Sequence, residues 1–217
     1  MGKLCFVNGS PRGNNSASNN FINELCKIVQ NDNHEINHIS LNNEVNYSDV
    51  DNSDIIVIAF PLYVDTLPST VIEFLVNLEK YAKDSKNSPR VYSVVNCGFF
   101  EGIQNKHAIQ IIKNFCDKTG YKWRFGVGIG AGEFMKHTKA SIPLNSEIKH
   151  DIYEAFMEIK NDINITSEDI KDNFFLSPKI PKSSFISTGS THWIEAAKNM
   201  SVSEEQLYSR PFVSITK

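Results

Sequence analysis

The segment Gly9-Ser10-Pro11-Arg12-Gly13-Asn14-Asn15-Ser16 gathers the residue types that hold an anion. It follows the apolar run Lys3-Leu4-Cys5-Phe6-Val7 and passes straight into a helical pattern. A strand that ends in glycine, serine, asparagine and one arginine just before a helix delivers backbone N–H groups, hydroxyls and a positive charge to one point. Ser10 and Ser16 offer hydroxyls, Asn15 an amide, and Arg12 a planar fork suited to bidentate contact with a phosphate.

Two more segments carry binding chemistry. Pro61-Leu62-Tyr63-Val64-Asp65-Thr66-Leu67-Pro68 places apolar and aromatic residues where a chain normally turns polar, so something flat and apolar is expected to cover it. Pro61 sets an extended entry, and Pro68 suits the first turn of the next helix. In Asn96-Cys97-Gly98-Phe99-Phe100-Glu101-Gly102, Gly98 allows close backbone approach and Asn96 is able to pair with the edge of a heterocycle. A fourth stretch, Gly126-Val127-Gly128-Ile129-Gly130-Ala131-Gly132, has the density of a dinucleotide fingerprint. No helix pattern opens at its third glycine and no acidic residue follows at the proper interval, so it reads as a strand end that leaves room for a neighbour.

These segments need a frame that brings them together. Short β-branched runs alternate with longer stretches of 3.6 periodicity through about residue 165, the pattern of a parallel sheet covered on both faces. The strands are expected at Lys3–Asn8, Glu35–Leu41, Asp54–Phe60, Arg90–Asn96 and Lys122–Ile129, the second a half-polar edge and the third central. Helical stripes are expected at Phe21, Ile22, Leu25, Cys26 and Val29, and at Val71, Ile72, Leu75, Leu78 and Ala82. Two others run through Ile103, His107, Ile111, Ile112, Phe115 and Cys116, and through Ile148, Ile152, Ala155, Phe156, Ile159 and Ile163. Right-handed crossovers then favour an α/β, doubly wound five-stranded sheet of order 2-1-3-4-5, which binds ligands past the carboxyl ends of its strands.

Residues 166–217 read as a C-terminal extension laid against the 1–165 domain or a second subunit, because Asn173-Phe174-Phe175-Leu176-Ser177-Pro178-Lys179-Ile180-Pro181 is apolar without a clear period. Short helices are expected near Thr191–Met200 and Ser203–Tyr208.

Composition narrows the function. A formal charge of −3 on 217 residues gives no broad cationic surface, so nucleic acid is not an expected partner. The longest purely apolar run, Ile55-Ile56-Val57-Ile58-Ala59-Phe60, is far short of the ~20 residues that span a bilayer. The N-terminus is a better strand than a secretory signal, which points to the cytoplasm and makes Asn-x-Thr triplets such as Asn164-Ile165-Thr166 products of chance. Cys5, Cys26, Cys97 and Cys116 stand apart with no Cys-x-x-Cys pair, so reduced thiols and no metal are expected, Cys97 alone lying in a loop with a chance of function. The six histidines are scattered; His137, just after the glycine-rich stretch, is the one to keep in view.

Taken together, Gly9-Ser10-Pro11-Arg12, the Pro-Leu-Tyr-Val-Asp-x-Leu-Pro stretch at 61–68 and Asn-Cys-Gly-Phe at 96–99 resemble the flavodoxin-like NAD(P)H-dependent FMN reductases. Ser-Pro-Lys-Ile-Pro at 177–181 is similar to a bacterial branch of that family. The resemblance implies that Ser10, Arg12, Asn15 and Ser16 hold the FMN phosphate, and that Pro61, Leu62, Tyr63 and Val64 line the ribityl chain and isoalloxazine. Asn96, Cys97, Gly98 and Phe99 would flank the pyrimidine edge. The compact cysteine cluster of the related iron–sulfur flavoproteins is not matched, so no cluster is expected. In such an enzyme the cofactor does the chemistry, hydride passing from NADPH or NADH to flavin N5 and onward to a free flavin, a quinone or another small acceptor, with no catalytic side chain required. A homodimer is implied. The alternatives are a flavodoxin-like electron carrier without NAD(P)H activity, for which −3 offers little acidic docking face, and a flavin-free binding module.

Overall fold

The computed structural model describes residues 2–30, 32, 34–165 and 169–209. The chain alternates β1 (Lys3–Asn8), α1 (Ala17–Val29), β2 (Glu35–Ser40), α2 (Tyr47–Asp51), β3 (Ile55–Pro61), α3 (Ser69–Ala82), β4 (Arg90–Asn96), α4 (Lys106–Thr119), β5 (Lys122–Ile129), α5 (Gly132–His137), α6 (His150–Asn164) and β6 (Phe174–Leu176). The strands form one sheet in the order β2-β1-β3-β4-β5-β6, and every neighbouring pair is parallel. The chain divides into two compact units, Met1–Lys179 and Ile180–Lys217.

Side-chain alternation along the strands explains the two layers of helices. Leu4 and Phe6 of β1, with Ile55, Val57 and Ala59 of β3, face α1 and α6. Cys5, Val7, Ile56, Ile58 and Phe60 point the other way, onto α3 and α4. β2 lies at the edge as its polarity requires, and β3 sits inside with six of its residues buried. Ile152, Ala155, Phe156, Ile159 and Ile163 cover the first face from α6.

The structure corrects several expectations. The sheet has six strands, not five, because Phe174, Phe175 and Leu176 pair in parallel with Val127, Gly128 and Ile129. Three residues are too few to display a period, yet Phe174 packs on one core and Phe175 on the other. The strand fits because Gly102 and Gly128 have no side chain. A Cβ at Gly102 would stand 2.4 Å from the Leu176 backbone, and one at Gly128 2.9 Å from the Phe175 ring. The neighbour for which the glycine-rich stretch leaves room is thus β6 and the loop after β4. A one-turn-and-a-half helix, α5, does open at Gly132, two residues past the third glycine.

The stripes also shift. Ile72, Ile103 and Ile111 are exposed, and the buried face of α4 is Ala108, Ile109, Ile112, Phe115 and Cys116. Within the second unit, α7 (Lys182–Asn199) begins nine residues before the expected helix, directly after Pro181, and α8 (Glu204–Leu207) is started by a Ser203–Gln206 capping box. The Ser- and Gly-containing first half of α7 lacks the apolar stripe that would announce it.

One buried ionic cluster ties α6 to the sheet. Arg124 of β5 donates to both carboxylate oxygens of Asp162, at 2.8 and 2.9 Å, and the Tyr92 hydroxyl donates to one of them at 2.7 Å. Both charged side chains are almost wholly buried. Arg90 of β4 donates to the carbonyls of Asp162, Ile163 and Ile165, closing the C-terminal end of α6. Among the described residues no helix is long and apolar enough to cross a membrane, and no group of three or more His, Cys, Asp or Glu could hold a metal ion.

Candidate functional site

The β1–α1 loop is tied to the sheet at its entry and leaves donors at its exit. Gly9 N–H donates to Ala59 O at 2.8 Å, and Ser10 N–H to Asn8 Oδ1 at 3.1 Å. Asn8 Nδ2 then donates to the carbonyl of Gly13, whose φ of 53° is a conformation open to glycine. Ser16 caps α1: its hydroxyl donates to Gly13 O at 2.6 Å and accepts from Asn19 N–H at 3.1 Å. The next two amides, of Ala17 and Ser18, have no acceptor among the described residues, as the first turn of a helix dictates. The positive end of the α1 dipole adds to them, and the first turn of α1 carries no acidic residue.

Arg12 stands at this exit with its guanidinium 2.5 Å from the carboxylate of Glu133, in the first turn of α5. Both side chains are about half exposed. Asn15 departs from expectation. It is exposed and off the cleft wall, because the turn between Arg12 and Ser16 points its side chain outward, and its carbonyl instead accepts from Lys136 at 3.0 Å.

After β3, Leu62 N–H donates to Asn96 O at 2.7 Å, fastening this loop to the end of β4. Tyr63 and Thr66 exchange two backbone bonds of 3.0 Å, closing a turn in which Val64 and Asp65 take φ of 48° and 57°. A β-branched residue in that region is strained. Val64 is 96% exposed and does not line the cleft, whereas Tyr63, 40% exposed, does.

After β4, the buried Asn96 uses both amide protons within the protein, on Ser18 Oγ at 2.8 Å and Phe60 O at 3.2 Å. It joins three segments of the cleft and keeps Oδ1 to accept. The Cys97 thiol sits against Asn105 Nδ2, Phe99 O and Glu101 O, and burial pushes its pKa up. That is a packed, protonated thiol at the cleft. Gly98 faces open space, and Phe99, 54% exposed, stands outside the wall.

Nine of the twelve residues singled out in the sequence, Ser10, Arg12, Ser16, Pro61, Leu62, Tyr63, Asn96, Cys97 and Gly98, meet in one cleft of about 190 Å³. Ala17, Ser18 and Glu133 complete it. The first two follow Ser16 directly and were implicit in a helix start; Glu133 comes from 121 residues away and nothing local announces it. His137 lies beyond it, its ring 3.5 Å from the same carboxylate. The cleft has polar donors and a cation at one end and an apolar, aromatic wall at the other. Unpartnered amides at a helix start fit a phosphate, and Pro61, Leu62, Tyr63 and the bare Gly98 fit the flat ring of FMN.

No protein-family model and no curated protein matches the chain. Solved structures share its fold. An FMN-dependent NADH-azoreductase from Bacillus anthracis in complex with FMN superposes with a TM-score of 0.54 at 12% identity, over 75% of this chain and 99% of that one. A second Bacillus anthracis azoreductase gives 0.52 at 12% identity, over 75% and 98%. The two-electron reduced flavodoxin of Megasphaera elsdenii gives 0.50 at 18% identity, over 71% and 98%. The chain has the flavodoxin-like fold.

Proposed function

We propose that this chain is an FMN-dependent NAD(P)H oxidoreductase that passes electrons from a nicotinamide to a small acceptor such as a free flavin or a quinone. The observation that carries the reading is the union, in one cleft, of the open α1 amides and Arg12 with the apolar wall of Pro61, Leu62 and Tyr63. When bound, FMN supplies the two-electron exchange with the nicotinamide and the release of those electrons to the acceptor.

The protein's own part is positioning. Ala17 and Ser18 N–H and the Ser10 hydroxyl donate to the phosphate, and Arg12 turns from Glu133 toward it. Tyr63 and Leu62 exclude water from the ring, while Asn96 holds the β3 and β4 loops at a fixed separation and offers Oδ1 to a ring N–H. The exposed apolar side chains at the mouth, Tyr63, Val64 and Phe99, support a homodimer in which a second copy covers the ring. Four free thiols suit a reducing compartment, the cytoplasm.

The test is anaerobic stopped-flow mixing of FMN-loaded protein with NADH and, separately, NADPH. Prompt loss of oxidised-flavin absorption with either supports the enzyme. Inertness toward both, with FMN retained, replaces it by an electron carrier.

A further inference from the structure

A second cavity of the first unit is several times larger than the candidate flavin cleft. A groove of about 810 Å³ runs between α1 and the segment from Met135 to Lys149, in the size range of small-molecule sites. Its floor is apolar, with Phe21, Met135 and Leu144 among its residues. Its charge is one-sided: Lys27, Lys136, Lys139 and Lys149 against the single carboxylate of Glu24. That carboxylate already holds Lys27 at 2.6 Å.

Lys149 is the telling residue. It is 3% exposed, and its ammonium donates to Ile142 O at 2.8 Å and Met135 O at 3.4 Å, with no carboxylate in salt-bridge contact among the described residues. A buried cation hydrogen-bonded only to two carbonyls lacks the contacting carboxylate that normally accompanies burial. Burial pushes its pKa down, with Glu24 opposing the shift. A second donor is stranded in the same groove. Asn20 Nδ2 is buried without an acceptor, while Asn20 Oδ1 accepts from Lys139 at 3.2 Å. The groove therefore holds spare donors and positive charge above an apolar floor.

We propose that this groove is a second ligand site, for a small amphipathic anion with an apolar or aromatic body and one carboxylate, sulfonate or phosphate. The body lies on Phe21, Met135 and Leu144, and the anion meets Lys136, Lys139, Lys149 and Asn20. This site does not depend on the flavin reading, although Ala17 borders both cavities.

The test uses two fluorescent probes that share an apolar body, anionic 8-anilinonaphthalene-1-sulfonate and uncharged N-phenyl-1-naphthylamine, titrated into the folded full-length protein with and without saturating FMN. The anionic probe is expected to bind saturably under both conditions, and more tightly than the neutral one. Lys136→Glu with Lys139→Glu is expected to weaken the anionic probe about tenfold and leave the neutral one unchanged. Ala140→Trp, which fills the groove from an exposed position, should weaken both. Equal affinity for the two probes, no effect of charge reversal, or loss of binding on FMN saturation would overturn the assignment.

Discussion

Arg12 and Glu133, 121 residues apart in sequence, form an ion pair at the mouth of the candidate cleft. The cation best placed to hold a phosphate is thus already engaged by a carboxylate on α5, and any incoming anion competes with that carboxylate. Glu133→Gln should then bind FMN more tightly than the native protein. Arg12→Ala should bind it roughly 10- to 100-fold more weakly, the loss of one charge-assisted contact. Quenching of FMN fluorescence on titration measures both. A Glu133→Gln protein with weakened binding would mean that the carboxylate helps to hold the ligand.

Asp162 and Arg124 form the main buried ionic link between α6 and β5. Asp162→Ala leaves a buried guanidinium without its partner and should cost about 3–5 kcal/mol in urea unfolding. Asp162→Asn, which keeps the shape, should recover part of that loss.

The same carboxylate makes stability depend on pH. Burial alone raises its pKa, but hydrogen bonds from Arg124 and Tyr92 and the guanidinium charge outweigh burial, so the folded value lies below the ordinary one. Its stabilisation is present above the unfolded pKa of about 3.9 and disappears as pH falls through the lower folded value. Urea midpoints measured from pH 5 downward should fall more steeply for the native protein than for Asp162→Asn.

Cys97 is packed and protonated, so thiol reagents should label it only on unfolding, and Cys97→Ser should leave FMN affinity unchanged. Rapid labelling in the folded state would show a thiol more open than its neighbours allow.

Gly102→Ala would press a methyl onto the Leu176 backbone and should lower stability by about 1–3 kcal/mol through displacement of β6. Chemical denaturation reads it directly.

What the sequence made legible follows from period and chemistry. β1 and β4 are buried but for their first residues, Lys3 and Arg90, and their bounds and the β2-β1-β3-β4-β5 order were readable from alternating apolar stretches. β6 was not, because three residues carry no period and its place depends on glycines at 102 and 128. In the site, Ser10, Arg12 and Ser16 were readable as a loop chemistry, while Asn15, Val64 and Phe99 look equally suitable in sequence and stand off the wall because local turns aim them elsewhere. Glu133 was invisible, since only the fold brings α5 to the first loop.

The most direct test of the central claim is a parallel titration of the native protein with FMN and with riboflavin, which lacks the phosphate. If the α1 amides and Arg12 hold the phosphate as proposed, FMN should bind at least about tenfold more tightly than riboflavin, with its fluorescence quenched. Equal affinity for the two, or no binding of either, would contradict the phosphate cradle and with it the proposed oxidoreductase.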